Sequence, residues 1–201
     1  TDDGTALTIE NMHSILADEF EKEAYGSVLS RNFFGVGDDF FSKETSTPSW
    51  ALVSKEVIPF SRGKSYLRQI EQVVGYLKNA VFKDVVMPHE YQDAIVDFEQ
   101  KKSKIQALMD INWRKACKML TELSITTLTR HSPCECIYDI LMYFINNKER
   151  LLEETRTWTS GCDSGDFLVN LGWFDTRGVD CFGWLPEEKD ISVGVSFSRK
   201  Q

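Results

Sequence analysis

The sequence predicts an all-α fold: a helical bundle around a central buried helix, with an irregular C-terminal tail. Three observations carry this expectation. Apolar residues recur at three- and four-residue spacing through most of positions 8–158. The stretch 119–129 holds a single charged residue, Glu122, as expected of a helix buried on all sides. Only one segment, with Ile191, Val193, Val195 and Phe197, alternates like a strand or extended tail, and one strand does not make a sheet.

In chain order, Ile9, Met12, Ile15, Leu16, Phe20, Ala24 and Val28 fall on one stripe and predict a helix within 8–30. Thr8 and Asn11 make a poor capping box there. Gly35, Gly37, Asp38, Asp39, Ser46, Thr47 and Pro48 mark 35–48 as a loop. A short apolar piece, 50–58, ends at Pro59. Leu67, Ile70, Val73, Val74, Leu77 and Val81 predict a helix over 64–83. Pro88 suits the first turn of the next, whose apolar face is Tyr91, Ile95, Phe98, Ile105 and Leu108. The central helix follows Asn112 and carries Trp113, Ala116, Cys117, Leu120, Leu123 and Leu128. Ser132-Pro133-Cys134-Glu135 starts another: Ser132 caps, Pro133 takes the first helical position, and Glu135 reaches back. Its apolar face, Ile137, Ile140, Leu141, Phe144 and Ile145, can run on to about Trp158. Residues 162–186 are aromatic and glycine-rich, with Phe167, Trp173, Phe174, Phe182 and Trp184. The chain is expected to divide into an N-terminal helix-and-loop extension (1–60), a helical core (61–178) and a tail (179–201).

At 201 residues the chain fits one domain. Such a domain buries about 70% of the surface its unfolded chain exposes. Its 42% hydrophobic and 12% aromatic content is that of a globular protein. A formal charge of −8 argues against nucleic acid as main partner, and Lys101, Lys102 and Lys104 read as a solvated helix face. Five scattered cysteines, no visible signal peptide and no glycosylation sequon suggest a reducing compartment, hence a cytoplasmic protein. No window approaches the roughly 18 apolar residues of a membrane span.

Catalytic patterns are incomplete. Gly63-Lys64-Ser65 is similar to the end of a phosphate loop, but Ile58 stands where that loop needs glycine. His89-Glu90 is similar to a zinc-protease helix, but Asp93 replaces the second histidine. His131, Cys134 and Cys136 form the one candidate metal set, with Cys162 or Cys181 completing a tetrahedron. Zinc deaminases space their cysteines wider and add His-x-Glu, which this chain lacks. A zinc-containing module or enzyme on these residues is therefore one alternative; no cofactor is otherwise implied.

Three segments in order resemble the Bcl (B-cell lymphoma) family of apoptosis regulators. Asn112-Trp113-Arg114-Lys115 resembles its first homology motif, Asn-Trp-Gly-Arg, and Leu67-Arg68-Gln69-Ile70-Glu71-Gln72-Val73-Val74 resembles its third. Gly172-Trp173-Phe174-Asp175-Thr176 resembles its second, which lies near the start of a last helix; a register near Trp158 is also open. Arg114 and Lys115 replace the family's Gly and Arg; Glu71 and Gln72 replace Gly and Asp. The resemblance, over roughly 64–176, implies a non-enzymatic, pro-survival regulator. Amphipathic helical segments of pro-apoptotic proteins would lie in a groove built from Leu77, Val81, Phe98, Leu108, Asn112, Trp113, Lys115 and Trp173. Lys115 would meet a ligand carboxylate as a point charge, without arginine's fork. It also implies a place in the cytoplasm or at the mitochondrial surface, the latter if a C-terminal anchor has been trimmed. A helical interaction or structural protein of unrelated family is the other alternative, since the resemblance leaves 1–60 and the aromatic tail unexplained.

Overall fold

Residues 4, 6–31, 38–46 and 50–200 are described by the computed structural model. In chain order the elements are α1 (Ile9–Lys22), α2 (Asp38–Lys43), β1 (Ala51–Val57), α3 (Tyr66–Tyr76), α4 (His89–Ile111), α5 (Trp113–Thr121), α6 (Ser124–Thr129) and α7 (Pro133–Asn147). Then come β2 (Arg156–Cys162), β3 (Leu168–Asp175), β4 (Gly178–Trp184), β5 (Val193–Gly194) and β6 (Ser196–Lys200). A π-helical turn, Leu77–Val81, continues α3.

The fold is mixed α/β, which corrects the all-α bundle. One sheet has the order β4-β3-β2-β5, antiparallel except for the parallel β2–β5 pair; a second pairs β1 with β6. The larger sheet lies between two apolar cores. Leu168 and Trp158 join α3, α4, α5 and α6 in one; Val169, Leu171 and Phe174 join α1 and α7 in the other. A strand covered on both faces loses the apolar–polar alternation that marks a half-exposed strand. β3 is buried at every one of its first five positions.

Three of the expected helices are shorter than their periodicity allows. α1 ends at Lys22. The central helix breaks at Glu122–Leu123 into α5 and α6. α7 has the capping box read from sequence: Ser132 Oγ accepts from Glu135 N at 3.2 Å, and Glu135 Oε2 accepts from Ser132 N at 2.8 Å. It stops at Asn147, not Trp158, because Lys148 turns left-handed (φ 59°) and donates its N–H to Phe144 O at 2.7 Å.

The C-terminal segments are woven into the sheets. Residues 178–184 form the outer strand β4, and Val179 exchanges hydrogen bonds with Val28 and Ser30. The β3–β4 hairpin turns on Asp175, whose Oδ1 accepts from Arg177 N at 2.7 Å. Gly178 (φ +100°) follows, where a Cβ would lie 2.5 Å from Leu29 C. β1 pairs with the last strand, β6, so the expected tail is built structure. No helix among the described residues is long and apolar enough to cross a membrane.

Candidate functional site

The groove expected from the resemblance is not assembled. Leu77 and Phe98 are fully buried, and Val81 and Leu108 pack half-buried on the same core. Asn112 caps α5, its Oδ1 accepting from Lys115 N at 3.1 Å; Lys115 is exposed. Trp113 is half-buried against that core, its ring 4.7 Å from Phe167 and 4.3 Å from the Arg114 guanidinium. Trp173 belongs to a strand, β3, rather than to the start of a last helix. The Arg156 guanidinium lies 4.2 Å from its ring and 4.4 Å from that of Trp184.

The zinc set is likewise dispersed into other bonds. Cys134 donates its thiol to Leu7 O at 3.3 Å, and His131 Nδ1 lies 3.0 Å from Asp139 Oδ2. Among the described residues no group of three or more His, Cys, Asp or Glu is placed to hold a metal ion. Burial pushes the Cys134 thiol up to about 11, and those of Cys117 and Cys162 up to about 12. Burial also raises Cys136 and Cys181. Nucleophilic thiols are shifted the other way. His131 and Asp139 have the base-and-orienter arrangement of a catalytic triad. No hydroxyl or thiol completes it, for His131 Nε2 has no hydrogen-bond partner among the described residues.

What the chain does assemble is a groove of about 400 Å³ between β1 and α7. β1 supplies Val53, Ser54 and Lys55; α7 supplies Asp139, Met142, Tyr143, Asn146 and Asn147; Leu151 closes the end. The helical residues recur at three and four, so they share one face of α7. A bulge places the strand residues: Val53 pairs with Ser198, but Val57 already pairs with Ser196. Bulges bend a strand and re-aim its side chains. Here side chains stand in for the ladder: Ser54 Oγ accepts from Phe197 N at 2.8 Å, and Ser196 Oγ donates to Ser54 O at 3.2 Å.

The groove narrows inward to His131, Cys136, Leu152 and Ser196. His131, 3% exposed, is the polar floor, and the half-exposed Asp139 stands on the wall above it. At the outer end Lys55 Nζ lies 3.6 Å from Glu149 and 4.8 Å from the centre of the Tyr143 ring. The Tyr143 hydroxyl donates to Glu149 Oε2 at 2.8 Å. Hydrogen bonding to Tyr143, then the charge of Glu149, holds the Lys55 ammonium above its ordinary range.

β1 itself is unusual. Its outer side has no strand neighbour among the described residues, and it presents Leu52 and part of Val53 to solvent. Trp50, just before it, is 85% exposed. In sequence, 50–58 is apolar but carries no mark of an edge strand. Nothing local pairs it with α7, about eighty positions on; the juxtaposition is made by β6.

Comparison with known proteins gives no match: no family model, no curated protein and no solved structure matches the chain.

Proposed function

We propose that this chain is a non-enzymatic recognition module that holds an extended segment of a partner protein between β1 and α7. The observation that supports this reading most is the groove itself, an open-edged strand beside a helix face with apolar and polar side chains interspersed. An incoming strand gains main-chain hydrogen bonds from the edge, while pockets receive its alternate side chains. Val53, Met142 and Leu151 provide the apolar contacts; Ser54, Asp139 and the asparagines of α7 provide the polar ones. Lys55 and the bulge also guard the edge against indiscriminate pairing, as natural edge strands do.

Selection of random nine-residue peptides on the immobilised protein tests the reading. Peptides that bind the wild type and lose binding to Val53→Asp and Met142→Lys are the expected result. Selected peptides that bind those variants unchanged, or a selection that yields none, would overturn it.

A further inference from the structure

Outside the groove, we infer that two copies of this chain dock face to face through the turns that carry Phe60 and Ile191. Ile58-Pro59-Phe60-Ser61 is a tight turn, closed by Ser61 N donating to Ile58 O at 3.1 Å. Pro59 suits its second position, and Phe60, with φ 64°, holds the third. Positive φ there makes the turn type II, whose third position favours glycine. A bulky residue at positive φ is strained. Phe60 gains no internal packing in return, since it is 84% exposed. Ile191, 83% exposed, stands on a second turn, closed by Val193 N donating to Asp190 O at 3.0 Å. Strain kept for a side chain that faces solvent points to a use outside the fold.

Hydrogen bonds lay the two segments side by side and antiparallel. Ile58 N donates to Val195 O at 2.7 Å, Val195 N to Ser61 Oγ at 3.0 Å, Gly63 N to Asp190 O at 3.1 Å, and Tyr66 N to Pro186 O at 3.1 Å. Ser61, fully buried beneath them, also donates its hydroxyl to Ile58 O at 2.7 Å, so the ribbon has a fixed frame. A Cβ on Gly63 would lie 4.0 Å from Ile191 Cα, which puts both apolar tips toward one end. The charges separate by segment. Arg62 and Lys64 lie on one; on the other Glu187, Glu188 and Asp190 outweigh Lys189. Although the segments touch, Arg62, Lys64, Glu187 and Glu188 form no ion pair among the described residues.

A second copy, given a half-turn about the long axis of this ribbon, presents its basic segment to the acidic one of the first, and the reverse. The same rotation brings the apolar tips of the two copies together. The patch is thus its own complement, which a two-fold interface requires. An anionic lipid surface, the other occupant suited to exposed apolar tips, is repelled by the acidic segment and by a formal charge of −8. Phe60 and Ile191 alone make a small apolar contact, so the dimer is weak and forms at high protein concentration.

Sedimentation equilibrium over a wide range of protein concentration tests the inference. The wild type is expected to pass from monomer to dimer, more readily at low salt. Phe60→Gly gives the turn its preferred residue and is expected to melt no lower than the wild type, while dimerising roughly tenfold more weakly. Reversing the basic pair (Arg62→Glu with Lys64→Glu) or the acidic pair (Glu187→Lys with Glu188→Lys) is expected to abolish self-association of either variant. An equimolar mixture of those two variants is expected to dimerise again, because each copy then meets opposite charge at both contacts. A wild type that stays monomeric throughout would overturn the inference. So would a dimer that Phe60→Gly leaves unchanged, or a mixture of the charge variants that stays monomeric. Binding of a monomeric protein to phospholipid vesicles, lost in Phe60→Gly, would give the tips to a membrane and count against the dimer.

Discussion

Replacing Gly172 by alanine separates the sheet from the helix that sequence resemblance implied at the same place. In β3 this glycine has φ +145°, and an added Cβ would lie 2.2 Å from Thr155 O and 2.7 Å from Arg156 Cα. Thr155 O is held there, accepting from Trp173 N at 2.8 Å. Alanine must leave a glycine-only conformation, at about 1–3 kcal/mol, and disturb a hydrogen bond worth about 1 kcal/mol. The expected loss is about 3 kcal/mol, or roughly 6–12 °C in a domain of this size. Gly75, inside α3, is the internal control: nothing lies within 4 Å of its added Cβ. Alanine there is expected to raise stability by about 0.5–1 kcal/mol. Calorimetric melting of the two variants reads both effects. A Gly172→Ala protein as stable as the wild type would refute the placement of β3 against β2.

Other outcomes follow from the same geometry. Trp158→Ala, which empties a fully buried site between Tyr66 and Trp184, is expected to cost about 3–5 kcal/mol. Trp50→Ala, at an exposed site, is expected to change stability by less than about 0.5 kcal/mol, and chemical denaturation compares the two. Ser132→Ala removes the α7 cap and is expected to cost about 1 kcal/mol, seen as a shift of the urea midpoint. Cys117 and Cys162 hold their protons up to about 12, whereas an unfolded thiol releases its own near 9. Above pH 9 the unfolded state thus binds fewer protons, and stability falls as pH rises toward 12. Urea midpoints at pH 8, 9 and 10 check the sign, and Cys117→Ala is expected to flatten the slope.

Local signals told the helices well and the sheet poorly. α1, α3, α4 and the start of α7 follow their apolar stripes and caps because each buries one face. The alternation at 191–197 does mark strands, β5 and β6. β2, β3 and β4 left no alternation because helices or loops cover both faces, and their aromatic and glycine content looks like loop composition. Leu151 and Leu152 continued the apolar spacing of α7, yet Leu152 takes φ 54° and the helix is already over. By resemblance the Asn112–Lys115 segment is a docking wall, whereas in the structure Asn112 is the N-cap of α5. The groove was hidden for a different reason. Val53 and Met142 look unremarkable apart, and only the pairing of β1 with β6 brings them together.

Hydrogen exchange of the β1 amides tests the recognition groove most directly. With a peptide selected on the wild type at saturation, amides within 52–57 are expected to exchange more slowly, and those of α4 and α5 to keep their free-protein rates. Protection that appears on α4 or α5 while β1 is unchanged would contradict the account.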